Sequence, residues 1–200
     1  MEIKEIEQFV IESGSDSLAV FGGKFEGGIH IQQIPDEIAP CISEILKSGK
    51  IKSYLEIGVA AGGTAFVFNH YFHPEIVLID DNKHHKAALR PKVMDKIIRH
   101  EIIRKSGDNA AIAAAQDLSP YDLILIDGDH SYQGVNADVK NYLPMLNKEG
   151  FLVFHDSARS GFGIKRMVKE LKKDTSLKFI NEYVSKKMTP CGVALFRRVK

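Results

Sequence analysis

Ionisable side chains end the apolar run LILI at residues 123–126, where they could do acid–base or metal chemistry. The run leads into Asp127, Asp129 and His130. Charged groups are costly to bury without partners, so these side chains are either solvated or part of a working site. Carboxylates suit Mg²⁺, Ca²⁺ or Mn²⁺, imidazole also accepts softer ions, and a histidine that titrates near neutrality can accept a proton. Asp129 has no predicted role beyond setting the turn or the polarity of the site.

A second apolar run, FLVF at 151–154, ends in His155 and Asp156. If both runs are neighbouring parallel strands, their carboxyl ends lie at the same edge of the sheet, where ligands bind in folds of this kind. The two groups of side chains would then face one another. Without a site, the first group would cap the following helix and the second would form an ion pair at a loop.

Alternating strands and helices must position these side chains. Apolar runs predict strands at 53–59, 75–80, 100–106, 121–127, 150–156, 178–184 and 192–198. Helical patterns lie at 1–12, 35–47, 64–72, 83–98, 109–117, 135–146 and 164–173. This order predicts the α/β fold class, a doubly wound and mostly parallel sheet of seven strands with helices on both faces. The last two strands must be antiparallel, because the loop SKKMTPC is too short for a parallel crossover.

We expect one domain over residues 1–200, with an N-terminal helical extension over 1–50 and a core over 51–200. The glycine-rich stretch 21–31 is either a lid over the site or a disordered connection.

The chain has 27 Lys and Arg against 26 Asp and Glu, a net charge of +1, which offers no overall field for nucleic acid or an anionic membrane. No signal peptide or membrane-spanning run is recognisable. Cys41 and Cys191 predict buried free thiols and, by default, a cytoplasmic protein.

The first core strand ends in LEIGVAAGG, a turn suited to close approach of a ligand. Gly58 permits a sharp turn out of the strand, and Gly62 and Gly63 let the backbone come near a ligand before the next helix. The spacing is G-x-x-x-G rather than the G-x-G-x-x-G of a dinucleotide fold, so a pyrophosphate cradle fits poorly. Glu56, inside the apolar strand, invites a cationic or amino partner. A plain strand-to-helix turn is the alternative.

Acidic residues at the next two strand ends could hold a nucleoside. Asp80 follows the glycines by about twenty residues, where an acid accepts hydrogen bonds from ribose hydroxyls. A helix cap is the alternative for this part of the chain. Ser106, Gly107 and Asp108 could border an adenine, although Asp108 could equally cap the next helix.

Together these motifs resemble the class I S-adenosylmethionine-dependent methyltransferases. The stretch IDGDHSYQGVNADVKNYLPMLNKEGFLVFHD is similar to a small-molecule branch with an IDG-x-H-x-Y signature, an acidic helix, P-x-L, a glycine and a closing HD. The resemblance is close from Tyr54 to Asp156 and departs at NKEGF, where the family often has two glycines. It implies a Rossmann-like fold that ends in an antiparallel strand.

The resemblance also implies roles for the site residues. The E-x-G-x-x-x-G stretch would hold the methionine part of S-adenosylmethionine, and Asp80 its ribose. Related catechol and macrolide-sugar O-methyltransferases bind a divalent ion at these strand ends, which implies Asp127, His155 and Asp156 as ligands of Mg²⁺ or another divalent cation. His155 departs from these relatives, which often carry an acid there. The predicted cofactor-binding set is Glu56, Gly58, Gly62, Gly63, Asp80, Ser106, Gly107, Asp108 and Asp127.

The predicted function is methyl transfer to a hydroxyl oxygen of a small molecule, with no nucleic-acid or membrane partner. His130, as general base, and Asp127 are the predicted catalytic residues. A nicotinamide-dependent oxidoreductase on a similar sheet is one alternative, disfavoured by the missing G-x-G-x-x-G. A catalytically silent module that binds the cofactor or a partner is another. An RNA or protein acceptor stays open, and the N-terminal helix suggests a homodimer.

Overall fold

A computed structural model describes residues 2–15, 28–95, 97–187 and 189–200. Its central element is a seven-stranded sheet in the order β3-β2-β1-β4-β5-β7-β6. The strands are β1 Ser53–Ile57, β2 Glu75–Asp80, β3 Arg99–Ile103, β4 Tyr121–Ile126, β5 Leu146–His155, β6 Leu177–Tyr183 and β7 Val193–Arg198. β7 pairs antiparallel with both β5 and β6, and the remaining pairs are parallel. This confirms the predicted fold class and places the antiparallel strand inside the sheet, with β6 at the edge.

Helices cover both faces of the sheet. They are α1 Ile3–Gly14, α2 Pro35–Lys47, α3 Gly63–Phe72, α4 Arg90–Val93, α5 Asn109–Asp117, α6 Tyr132–Tyr142 and α7 Gly163–Leu171. One apolar core joins α1, α2 and α3 to one face of the sheet, and a second joins α5, α6 and α7 to the other. Burial on both faces explains why the central strands read as continuous apolar runs rather than as alternating patterns.

The helix predicted over 83–98 is wrong. This segment contains a short 3₁₀ turn, Ala87–Leu89, and the four-residue α4. Pro91 lies in the first turn of α4, where a proline is tolerated, because in a helix interior it would remove a backbone donor and clash with the preceding turn. The other core helices agree with prediction within a few residues, and the helix predicted over 135–146 begins earlier and ends in a 3₁₀ turn, Leu143–Met145.

The N-terminal extension packs on the sheet through apolar side chains of α1 and α2. Ile6 and Val10 on α1 are fully buried in the same core as Ile38 and Ile42 on α2. The apolar face of α1 is therefore used within the chain, and the homodimer stays a prediction. Most of the predicted lid at 21–31 lies outside the described residues, and the division into extension and core also stays a prediction. Within the described ranges, no helix is long and apolar enough to cross a membrane.

Candidate active site

A cavity of about 1160 Å³ opens at the carboxyl edge of the parallel strands. It runs without interruption from the ends of β2 and β3 to the ends of β4 and β5, and every predicted site residue except Gly62 lines it. Gly62 lies just behind the wall, as the N-terminal cap of α3. The sheet order reverses at the β1–β4 pair, and the cavity therefore lies at the topological switch point, as expected for this architecture.

The glycine turn after β1 is packed against two other backbones. A Cβ on Gly58, whose φ is 81°, would lie 2.1 Å from the Asp127 carbonyl oxygen at the end of β4. A Cβ on Gly63 would lie 2.6 Å from the His30 carbonyl oxygen in the N-terminal extension. These glycines are therefore required by the fold, and they also leave the turn exposed to the cavity.

Asp80 at the end of β2 is committed to the glycine turn. Its Oδ2 accepts hydrogen bonds from the backbone N–H groups of Val59 and Ala60 at 2.7 and 3.0 Å, and its Oδ1 accepts from Asn82 at 2.6 Å. Buried Arg90 lies 3.2 Å from Oδ1. Burial opposes ionisation, but these bonds and Arg90 together lower the pKa of Asp80. The Asp80 carboxylate therefore stabilises the glycine turn, and a ribose contact by the same group stays a prediction.

The third strand end brings Ser106, Gly107 and Asp108 to the same cavity wall. Asp108 caps α5, because its Oδ1 accepts a hydrogen bond from the backbone N–H of Ala110 at 2.8 Å. Its other oxygen lies 3.3 Å from Nη1 of Arg104. Asp108 therefore has the helix-capping role that was one of its two predicted roles. Contact of this loop with an adenine stays a prediction.

The ends of β4 and β5 bring four ionisable side chains together. Nδ1 of His155 lies 3.0 Å from Oδ1 of Asp127 and 3.8 Å from Oδ2 of Asp156. Nε2 of His130 lies 3.5 Å and 3.3 Å from the same two oxygens. The His130 ring stacks on Phe162 with centroids 4.5 Å apart, which fixes the plane of the imidazole. The predicted cluster is therefore one compact group at the end of the cavity away from β3.

The cluster shifts the pKa values of its members in opposite directions. Burial alone would raise the pKa of Asp127, but His155 and His130 lower it to about 2. Burial would lower the pKa of both histidines, and the carboxylates of Asp127 and Asp156 raise them instead, that of His155 well above its usual value. Asp156 also adopts a left-handed backbone, with φ of 58°. Such conformations in non-glycine residues concentrate at functional sites.

Helix capping does not explain these side chains. The N-terminal cap of α6 is Ser131, whose Oγ accepts a hydrogen bond from the Gly134 backbone N–H at 3.0 Å. Asp129 accepts from the Ser131 backbone N–H at 2.8 Å and so shapes the turn. Asp127 and His130 are thereby left to face the cavity.

Glu56 is fully buried beneath the glycine turn, at 1% exposure. Tyr54, two residues earlier on the same face of β1, donates its hydroxyl to Oε2 of Glu56 at 2.5 Å. Burial raises the pKa of Glu56 to about 8, although the Tyr54 bond opposes this shift. The group is therefore largely neutral near neutral pH, and a cationic partner in the cavity would favour its charged form.

Asp138 on α6 was missed by the sequence-based prediction. It lines the cavity, is 1% exposed, and its Oδ2 has no hydrogen-bond partner among the described residues. Burial raises its pKa to about 6, although Ser106 opposes this shift. The signal was present, because Asp138 shares a buried helical stripe with Val135, Val139 and Tyr142.

Two further side chains were missed because they act over long sequence separations. Gln33 in the extension donates from Nε2 to Oδ2 of Asp127 at 3.2 Å. Glu37 on α2 is fully buried and accepts the backbone N–H groups of Ser185 and Gly192, both at 2.8 Å. Glu37 thereby holds the β6–β7 loop, which brings buried Cys191 beside the cluster. Both cysteines are buried free thiols, as predicted.

Two curated relatives match parts of the chain. One is the uncharacterized protein y4gI of Sinorhizobium fredii, 38% identical over 26% of this chain and 6% of its own length. The other is the uncharacterized protein R132 of Acanthamoeba polyphaga mimivirus, 28% identical over 52% of this chain and 51% of its own length. The chain thus spans about half or less of the length of these relatives.

Solved structures share the fold at low sequence identity. An O-methyltransferase from Bacillus cereus in complex with SAH has a TM-score of 0.62 and 15% identity, over 99% of this chain and 90% of its own. The N-methyltransferase NodS from Bradyrhizobium japonicum has a TM-score of 0.58 and 19% identity, over 80% and 93%. The MycE methyltransferase of the mycinamycin pathway, in complex with Mg and SAH, has a TM-score of 0.57 and 16% identity, over 81% and 48%.

A family model described as a methyltransferase domain matches residues 55–157, just over half of the chain. The matched segment begins in β1 and ends just after β5, and it carries the glycine turn, Asp80 and all four side chains of the cluster. The chain belongs to this methyltransferase-domain family.

Proposed function

We propose that this protein transfers the methyl group of S-adenosylmethionine to a hydroxyl oxygen of a small molecule, with help from a divalent metal ion. The observation that carries the proposal is the single cavity, which joins the glycine turn at one end to the Asp127 cluster at the other. Its volume of about 1160 Å³ leaves room for a nucleoside cofactor beside a second small molecule. Membership of the methyltransferase-domain family supports the reaction class.

The cofactor would lie along the carboxyl ends of β1, β2 and β3. Gly58, Gly62 and Gly63 offer close approach to its methionine part, and neutral Glu56 would ionise beside its amino group. Asp80 remains the proposed ribose contact, and Asp81 beside it adds a carboxylate whose side chain is 33% exposed. Ser106, Gly107 and Asp108 would border the base, with Asp138 on the adjoining wall.

The methyl transfer is a displacement at the sulfonium carbon, supplied by the bound cofactor. The acceptor oxygen forms the new bond to carbon, the carbon–sulfur bond breaks, and its electron pair stays on sulfur. The chain contributes positioning and a place for the hydroxyl proton. We assign that proton to Nε2 of His130 in its neutral form. This atom is buried between Asp127 and Asp156 at the cavity wall and has no hydrogen-bond partner among the described residues. Asp127 orients both histidines of the cluster.

The residues at the β4 and β5 ends fit a metal ion. Asp127 and Asp156 supply carboxylate oxygens, and His155 supplies an imidazole nitrogen. Oδ1 of buried Asp156 has no hydrogen-bond partner in the described part of the chain, so this carboxylate oxygen is available to bind an ion. When bound, such an ion lowers the pKa of an acceptor hydroxyl and fixes its oxygens.

Calorimetric titration tests the cofactor. The protein is titrated with S-adenosylmethionine, S-adenosylhomocysteine and NAD, each with and without divalent ions. We expect both sulfur nucleosides to bind and NAD to give no heat. Binding of NAD without binding of S-adenosylmethionine would contradict the proposal and support the oxidoreductase alternative.

A matched pair of variants locates the base of the cofactor. Asp108→Ala should weaken S-adenosylhomocysteine binding by about tenfold, the value of one hydrogen bond to a charged group. Asp117→Ala, an exposed acid at the other end of the same helix, is the control and should bind as the wild type does. Equal affinities of the two variants would remove Asp108 from the site.

A further inference from the structure

Resting on the proposed function, we infer that the metal site selects a transition ion of the Mn²⁺, Fe²⁺, Co²⁺ or Zn²⁺ type over Mg²⁺, because His155 contributes an imidazole nitrogen to the ligand set. The three ligands are Asp127, His155 and Asp156. Mg²⁺ prefers oxygen ligands in near-ideal octahedral geometry, whereas imidazole suits transition ions.

The spacing of the three side chains matches ligands of one ion. Two ligand atoms bonded at about 2.1 Å and at right angles lie about 3 Å apart. Nδ1 of His155 lies 3.0 Å from Oδ1 of Asp127 and 3.8 Å from Oδ2 of Asp156. A nitrogen of His155 and oxygens of Asp127 and Asp156 thus lie together at the ends of two adjacent strands. Nε2 of His130 lies 3.5 and 3.3 Å from the same two oxygens, so a second imidazole nitrogen stands beside the site.

Burial and unused polar atoms distinguish this cluster from a structural ion pair. His155 is 5% exposed and Asp156 is 3% exposed. The atoms that do not make the contacts above, Nε2 of His155 and Oδ1 of Asp156, have no hydrogen-bond partner among the residues that the structure describes. The buried Cys191 thiol lies within 4.8 Å of ligand atoms of both residues. A buried ion pair is stabilising only when its remaining donors and acceptors are satisfied, so the arrangement is poorly suited to a purely structural role.

The neighbouring side chains leave the cavity side of the cluster free for a substrate. Arg159 lies 3.8 Å from Asp156 on its Oδ1 side. Gln33 holds Oδ2 of Asp127, which leaves Oδ1 directed at the histidines. His130 stays outside the ligand set as the proposed proton acceptor.

Spectroscopic competition tests the selectivity without an activity assay. Chelator-treated protein is titrated with Co²⁺, whose visible absorption reports its coordination, and then with Mg²⁺ at about 100-fold excess. We expect one Co²⁺ per chain and no displacement by Mg²⁺. Displacement of Co²⁺ by Mg²⁺, or no binding of Co²⁺, would overturn the inference.

A substitution at His155 tests whether its nitrogen is the cause of the metal selectivity. His155→Glu replaces the nitrogen ligand by oxygen and should reduce the ratio of Co²⁺ to Mg²⁺ affinity by about tenfold or more. His100→Ala, on β3 and outside the cavity lining, is the control and should keep the wild-type ratio. An unchanged ratio in His155→Glu, with its fold verified by circular dichroism, would show that His155 is not a ligand.

Cofactor binding in the presence of chelator separates this inference from the proposed function. Protein that binds S-adenosylhomocysteine but prefers Mg²⁺ contradicts only the choice of metal. Protein that binds Co²⁺ through His155 but binds no S-adenosylhomocysteine upholds the metal site and contradicts the methyltransferase proposal.

Discussion

Asp80 and Asp127 lie at the carboxyl ends of β2 and β4, the two strands that flank β1, but they contact different kinds of groups. Both follow an apolar run at the carboxyl edge. Asp80 accepts hydrogen bonds from three backbone N–H groups and lies beside Arg90, so the loop it supports uses most of its bonding capacity. Asp127 meets side chains that titrate and that line the cavity beside it. Asp80 therefore mainly supports a loop, because backbone N–H groups bond to its oxygens. Asp127 instead contacts two histidines, which are side chains that can exchange protons.

The largest expected effect is on stability, from Asp80→Ala. The variant leaves three backbone donors without their acceptor and leaves Arg90, whose side chain is 3% exposed, without its nearest carboxylate. We expect the free energy of unfolding to fall by about 4 kcal/mol, as when one partner of a buried ion pair is removed. Urea denaturation followed by circular dichroism measures this change.

The adjacent residue provides the control for Asp80. Asp81→Ala should change the free energy of unfolding by about 0.5 kcal/mol or less, because its contact with Lys83 is exposed. If Asp80→Ala kept its stability and lost only cofactor binding, the structural role of Asp80 would be contradicted and only its proposed ribose contact would stand.

Replacing the carboxylate at the other end of the cavity, Asp127, by alanine should lower the rate of methyl transfer. Asp127→Ala removes a metal ligand and the orienting partner of two histidines, so we expect methyl transfer to fall by about 10²–10³-fold. Affinity for S-adenosylhomocysteine should fall by about tenfold at most, because the glycine turn is intact but Asp127 is also in the predicted cofactor-binding set. Metal binding that survives unchanged in Asp127→Ala would remove Asp127 from the ligand set.

Asp138, which also lines this cavity, extends the comparison to a carboxyl group that is buried without a cationic partner and has one oxygen, Oδ2, without a hydrogen-bond partner among the described residues. Its pKa is raised to about 6, so the folded protein binds a proton more tightly than the unfolded chain does, and stability falls as pH rises from about 4 to 6. Asp80, whose pKa is lowered, contributes stability that is lost as pH falls below about 4.

Asp138→Asn should therefore stabilise the protein. Near neutral pH we expect a gain of about 2–3 kcal/mol in the free energy of unfolding, since two pKa units of penalty are removed. Thermal melts at pH values of about 4 and 7 measure it. A wild type and a variant with the same pH dependence would show that Asp138 is not held neutral by burial.

The smallest effect concerns Gln33, which links the extension to Asp127. Gln33→Ala should lower metal affinity by about tenfold, because a hydrogen bond that orients a ligand is lost. Cofactor affinity should not change. Gln8→Ala on the exposed side of α1 is the control, and equal metal affinities in both variants would show that the extension does not orient Asp127.

Local patterns predicted most of the elements and failed where local signals were weak. The range of α2 was predicted in full, because Pro35 fits a first helical turn and the apolar stripe is regular. The segment 83–98 failed because Arg90 bonds to Asp80 and the Ala60 carbonyl instead of extending a helix. Pro91 alone does not account for the failure, since α2 continues through Pro40. Tertiary contacts override propensity there.

The parallel sheet, and the edge at which its charged strand ends meet, could be predicted from the amino-acid pattern alone. This was possible because apolar periodicity is local and because parallel strands place their carboxyl ends together. Which of these charged side chains support the loops and which face one another across the site depends on the three-dimensional packing. Asp80 accepts a hydrogen bond from the backbone after β1. Gln33 bonds to Asp127, 94 residues away, and Glu37 bonds to Ser185, 148 residues away. Such contacts depend on packing in three dimensions, which no local pattern encodes.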